Sequence, residues 1–168
     1  QNSPVLDQIA MRDEALKNGA REVVVVLPYL ERNVLLQLRD VKPDIDYPDH
    51  WGFFGGTVEA DESPEQSAVR ELSEELGFRP EKVHRISTDY FPKFHNLLSH
   101  SYFCKITMPV SNMVLTEGQD LGLFSLEQIE SRKLFSGRLK RELPVVPTTY
   151  IAGSVRRLWD IIDGKNPV

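Results

Sequence analysis

Apolar residues recur in two rhythms along this chain, and the change between them places its elements. Glu22–Leu30 (EVVVVLPYL) and Val34–Arg39 are short runs rich in valine and leucine, separated by the polar Glu31-Arg32-Asn33. That pattern predicts two strands joined as a hairpin. Asp40–His50, with two prolines among acidic residues, reads as a loop, and Trp51–Glu59 reads as a strand carrying a glycine pair. Val83–Phe91 and Leu98–Thr107 are further strand candidates around the loop Pro92–Asn96, and Val114–Leu115 and Gly122–Phe124 bracket Thr116–Leu121.

Elsewhere the spacing is helical. Residues 5–17 predict a short amphipathic helix ending near Gly19, with room to pack on the domain or against a second subunit. Ser63 is a good N-cap, Pro64 suits the first helical position, and Gln66 completes a capping box. Gly77 supplies the stop, so a helix is expected over Pro64–Leu76. Ala68, Val69, Leu72 and Leu76 form its apolar stripe, and Glu71, Glu74 and Glu75 occupy an adjoining arc. Ser125, with Gln128, opens another helix, and Thr148–Asp163 reads as the last, with Val155, Leu158, Trp159 and Ile162 inward. Strands on both sides of a central helix, with helices at the end, suggest an α/β/α sandwich around a mixed β-sheet.

Composition narrows the function classes. The 168 residues are 40% hydrophobic and 27% charged, which suits one globular domain with a real core. A net charge of −5 argues against nucleic acid or an anionic membrane as a non-specific partner. Cys104 is the single cysteine, so no intramolecular disulfide forms, and its apolar surroundings suggest a structural thiol. No apolar run has transmembrane length and no signal peptide is visible, so a cytoplasmic location is expected.

The chemistry is concentrated between Gly56 and Phe78. There the chain reads Gly, five residues, Glu62, seven residues, then Arg70-Glu71-Leu72-Ser73-Glu74-Glu75-Leu76-Gly77-Phe78. Carboxylates gathered on one patch raise one another's pKa unless a cation sits among them, and hard oxygen ligands favour Mg²⁺, with Mn²⁺ as the alternative. A solvated Glu-rich face is the bland explanation, but it leaves Gly55-Gly56, Glu62 and the stop at Gly77 unexplained.

These residues fill every specified position of a Nudix box, and the chain resembles the Nudix (MutT-like) hydrolases. The resemblance implies a Nudix-type α/β/α sandwich over 21–168 behind an N-terminal helical extension, 1–20. It implies Mg²⁺-dependent hydrolysis, by activated water, of a nucleoside diphosphate linked to another group X. Glu71, Glu74 and Glu75 match metal-binding glutamates, and the carbonyl of Gly55 matches a backbone ligand. Arg70 matches the residue that orients the glutamates. Either Glu71 or Glu74 serves as base, and Glu62 braces the loop-to-helix junction or reaches metal through water. Glu117 is the candidate for a further catalytic glutamate from a later loop, with an ordinary turn acid as its alternative.

Arg39, Trp51, Phe53 and Phe94 are candidate substrate-binding residues, the first for phosphate and the aromatics for a base. Subfamily markers are missing. Phe54 replaces the proline that often precedes the glycine pair, Pro92 stands about two residues early for an ADP-ribose hydrolase, and Phe94-His95-Asn96 lacks the tyrosine of dinucleoside polyphosphate hydrolases. A nucleoside tri- or diphosphate derivative, oxidised or non-standard nucleotides included, is the favoured substrate, with a nucleotide sugar of the GDP-mannose kind second. A non-catalytic nucleotide-binding module and an isoprenoid diphosphate isomerase are the rival classes. The expected partner is the small-molecule nucleotide, with neither nucleic acid nor membrane, and the N-terminal helix leaves room for a homodimer.

Overall fold

Valines on one strand serve two cores in this protein. The structure, a computed structural model, describes residues 4–165. The outer residues of the two expected segments, 1–3 and 166–168, lie outside that range. Helix α1 (Pro4–Lys17) leads into β1 (Arg21–Leu30), β2 (Asn33–Leu38), β3 (Trp51–Gly52) and β4 (Phe54–Thr57). Helix α2 (Pro64–Leu76), β5 (His84–Phe91), β6 (Leu97–Lys105), a 3₁₀ turn (Val110–Asn112) and β7 (Asp120–Ser125) follow. The chain continues through α3 (Leu126–Glu130), β8 (Lys133–Ser136), β9 (Arg141–Pro144) and α4 (Thr148–Ile162).

On β1, Val24 and Val26 face α2, where Leu35, Tyr102 and Cys104 join Leu72 and Leu76. Val25 and Leu27 face the other way, toward Ile151, Val155, Leu158 and Trp159 of α4. The period of two in each strand thus divides the apolar residues between two helical layers, and the α/β/α sandwich stands as expected. The sheet is mixed. β1 runs parallel to β6 and antiparallel to β2 and β4, β5 flanks β6, and β2 also carries β3 and β7.

A fork in the sheet makes room for a site. β1 pairs with β2 only at Tyr29 and Leu30, while Val23–Val26 pair with Thr57–Phe54 of β4. The expected strand Trp51–Glu59 is therefore two strands with different partners, broken at Phe53, whose carbonyl accepts from Gln37 Nε2 at 3.1 Å. The hairpin β8–β9 and the 3₁₀ turn were not legible in the hydrophobic pattern. Each strand of that hairpin is four residues long and opens on an exposed cation, Lys133 or Arg141.

α1 departs from the amphipathic expectation. Only Ala15 is buried among its described side chains, while Ile9 and Leu16 are 52% and 40% exposed. α2 fits closely: Ser63 accepts from the Gln66 N–H at 3.1 Å, and Gln66 accepts from the Ser63 N–H at 2.8 Å. Gly77 ends it with φ 65°. Ser63→Ala should cost about 1 kcal/mol, read as a melting temperature lower by about 2–4 °C; an unchanged melting curve would remove the cap from the account.

Candidate active site

The buried stripe of α2 orients its acids. Ala68, Leu72 and Leu76 are fully buried against the sheet, which puts Glu71 and Glu75 on one flank and Glu74 on the outer side. The side chains of Glu71 and Glu74 are 14% and 60% exposed, and Glu75 is 9% exposed. The arc expected from periodicity is thus divided between two environments.

Arg70 organises one of them. Its Nε and Nη2 donate to the two oxygens of Glu62 at 3.0 and 2.7 Å, and Nη1 donates to Glu71 Oε1 at 3.0 Å and Glu74 Oε2 at 3.2 Å. Nη2 also donates to the Thr57 carbonyl at 3.1 Å, tying the helix to the end of β4. The two-pronged bond from Arg70 holds the Glu62 carboxyl at about 2, well below its usual range. Glu62 also accepts from the Glu59 N–H at 2.9 Å, so it braces the junction between loop and helix.

The glycine pair is required by close approach. A Cβ on Gly55 would stand 2.0 Å from the Val24 carbonyl oxygen, and one on Gly56 would stand 2.2 Å from Glu71 Oε1. The first neighbour is backbone and the second is a side-chain carboxylate.

Glu75 lies apart from Arg70. Its Oε2 is buried without a hydrogen-bond partner. Burial, then the charge of Glu71, pushes its carboxyl up to about 8, with Glu117 adding to the rise and the Gly55 backbone and Arg39 opposing it. Burial also raises Glu71, against the pull of Arg70. Among the described residues no three His, Cys, Asp or Glu side chains are grouped to hold a metal ion. Arg70, by drawing Glu71 and Glu74 to itself, accounts for that at this helix. The donor chemistry still suits a hard cation: oxygen ligands, one of them buried and unpartnered, beside a backbone stripped of Cβ atoms.

A loop brings Glu117 to the same end of α2. The N–H groups of Val114 and Thr116 donate to the carbonyls of Leu76 and Glu75 at 3.0 and 3.1 Å, satisfying the exposed end of the helix. Gly118 N–H donates to Asp40 Oδ2 at 3.2 Å, which ties the loop to the end of β2. Asp120, its acidic neighbour, is buried and accepts from Ser136 Oγ at 2.7 Å, so it supports β8–β9 rather than the site.

The NUDIX domain model matches residues 19–143 of this chain. The chain belongs to the Nudix family of hydrolases. Over 55 residues it is 44% identical to the CTP pyrophosphohydrolase of Escherichia coli (strain K12), covering 33% of this chain and 41% of that protein. The matched stretch thus spans less than half of that relative. Solved structures share the fold at lower identity. A MutT NUDIX hydrolase from Burkholderia pseudomallei has a TM-score of 0.61 at 20% identity, over 83% of this chain and 98% of that one. A C. elegans Ap4A hydrolase in a binary complex gives 0.61 at 18%, over 85% and 98%.

In this Nudix fold the box abuts a cleft of about 610 Å³ at the fork of the sheet. Gly55, Gly56, Glu75 and Glu117 line one end, together with Arg39, Asp40 and Lys42. Of the substrate-binding candidates, Arg39, Phe53 and Phe94 line the cleft. Trp51 does not. It is fully buried, donates from Nε1 to the Leu134 carbonyl at 3.0 Å, and packs edge-on against Phe124 at 4.9 Å. Its ring belongs to the α4-side core, so its assignment to substrate is corrected. The strand pattern shows an aromatic at that position without showing which face it takes.

Phe91, another aromatic able to stack on a base, also lines the cleft, and the structure adds Ser99 and Tyr150. Tyr150 comes from α4, distant in sequence from the box, and no local spacing marks it. His100 and His50 make structural contacts. His100 is buried between Thr88 Oγ1 at 2.9 Å and Glu22 Oε2 at 2.7 Å, and His50 meets the Pro48 carbonyl at 2.8 Å. The isomerase reading needs a suitably placed cysteine, and Cys104 is buried and does not line the cleft. Among the described residues no helix is long and apolar enough to cross a membrane.

Proposed function

We propose that this Nudix protein hydrolyses the diphosphate of a nucleoside tri- or diphosphate derivative, with Mg²⁺ as the working cation, in the cleft beside α2. One observation carries the reading: Glu75, whose Oε2 is buried and unpartnered, lines the same cleft as Glu117, Arg39, Lys42 and an aromatic wall. The family model matches residues 19–143, which supports a domain that starts near residue 21 behind an extension, 1–20; we take the domain to be 21–168. The net charge of −5 favours a small-molecule partner over nucleic acid.

Glu71, Glu74 and Glu75, with the Gly55 carbonyl, would hold the cation. When bound, such a cation neutralises diphosphate oxygens and lowers the pKa of water. Arg39 and Lys42 would take phosphate oxygens, and Phe53 and Phe94 the face of the base. Arg70 keeps Glu71 and Glu74 oriented through the bonds described above. The attacking oxygen joins phosphorus, the bridging P–O bond breaks, and the leaving phosphate takes the electron pair. Glu71, Glu74 or Glu117 accepts the water's proton. Positioning and electrostatics supply most of the acceleration in such reactions.

A panel of nucleoside triphosphates, nucleoside diphosphates and sugar nucleotides, assayed with Mg²⁺ and by product identity, tests this reading. The expected result is metal-dependent release of a nucleoside monophosphate. Turnover of sugar nucleotides alone would replace the substrate, and binding with no turnover would make the protein a nucleotide-binding module.

A further inference from the structure

The cleft has two chemically distinct ends. Beside α2 it is charged. Toward β6 and α4 it is walled by Val23, Phe53, Phe91 and Leu97, with exposed Arg21 also among its residues. Two uncharged polar groups interrupt that apolar wall, and neither touches the carboxylate machinery. Ser99, 4% exposed on β6, meets the hydroxyl of Tyr150 from α4 at 3.3 Å.

The tyrosine ring is held in place. Phe91 lies edge-on to it at 5.9 Å, and Phe53 is tilted to it at 6.0 Å. A separation of 3.3 Å is long for two hydroxyls, whose usual spacing is about 2.7–2.8 Å. Each hydroxyl can donate once and accept twice, so the pair keeps capacity for a ligand. Burial raises the Tyr150 hydroxyl, which keeps it protonated and able to donate. An apolar slot with a few fixed polar groups suits a flat heteroaromatic ring whose edge carries donors and acceptors.

We propose that Ser99 and Tyr150 read the hydrogen-bonding edge of the nucleobase and are specificity-determining residues for the hydrolysis. The assignment rests on the reading above and adds to it the part of the site that recognises the base. A hydroxyl left unpaired by the wrong base costs free energy that the right base does not incur, and this difference sets preference.

The test compares wild type, Tyr150→Phe and Ser99→Ala on triphosphates of the four common nucleosides. It includes 5-phosphoribosyl diphosphate, which has the diphosphate and no base, as substrate or competitive inhibitor. Tyr150→Phe should lower kcat/KM for the preferred nucleotide roughly tenfold, chiefly through KM. It should also narrow the spread among bases and leave the base-free compound unchanged. Ser99→Ala should act in the same direction. Equal losses on the base-free compound, or an unchanged spread among bases, would overturn the inference. Should wild type bind nucleotides without cleaving them, calorimetric affinities over the same panel decide the point. The hydrolase reading then fails separately from this one.

Discussion

Glu75→Gln should lower kcat by about 10²-fold or more while leaving the fold intact. The two halves of that expectation come from one environment. Glu75 is buried, its Oε2 has no partner, and its carboxyl is pushed up to about 8. A neutral amide of the same shape therefore fits the folded protein without strain, and what it removes is the anionic oxygen offered to the cleft. The pH dependence of stability carries an independent check. A carboxyl raised from 4.5 to about 8 stabilises fully at low pH and loses that contribution as pH rises through this window. Metal-free wild type should therefore lose stability between those values, and Glu75→Gln should flatten the curve. Turnover close to wild type in Glu75→Gln, or identical pH–stability curves, would contradict the role given to this residue.

The glycine pair yields a contrast of similar size. Gly55→Ala would push a methyl to 2.0 Å from the Val24 carbonyl oxygen, which belongs to the strand pairing of β1 and β4. The backbone has to move, at a cost of about 3 kcal/mol or more. Gly56→Ala instead meets Glu71 Oε1 at 2.2 Å, the tip of a side chain that can turn aside. That variant should keep its melting temperature within about 3 °C and lose activity by about 10- to 100-fold. Chemical denaturation and steady-state kinetics of both variants separate the outcomes. Two variants that unfold alike, or two that stay active, would remove the distinction between a glycine required by the fold and one required by the site.

Much of the site could be read from the chain because its instructions are local. The capping box of Ser63 and Gln66, the stop at Gly77 and the stripe of Leu72 and Leu76 lie within one helix, and they fix where Arg70 and the glutamates point. Periodicity could not show that Arg70 would take Glu71 and Glu74 and leave Glu75 alone. That division depends on Thr57 and Glu62 meeting the guanidinium from outside the helix. Trp51 misled because an alternating pattern leaves the identity of the inward face open. Ser99 and Tyr150 were invisible for a different reason: β6 and α4 meet only through the tertiary fold. The hairpin β8–β9 was missed because short strands with cations at exposed positions carry little hydrophobic signal.

Calorimetric titration of Mg²⁺ into wild type and Glu75→Gln at pH 7, in two buffers of different ionisation enthalpy, tests the metal assignment most directly. With its carboxyl near 8, Glu75 is protonated at that pH in the metal-free protein, and a cation taking its oxygen displaces the proton. Wild type should bind Mg²⁺ with a heat that changes with the buffer, and Glu75→Gln should bind more weakly with no such change. Equal affinity and equal buffer dependence in the two proteins would show that the cation is held elsewhere.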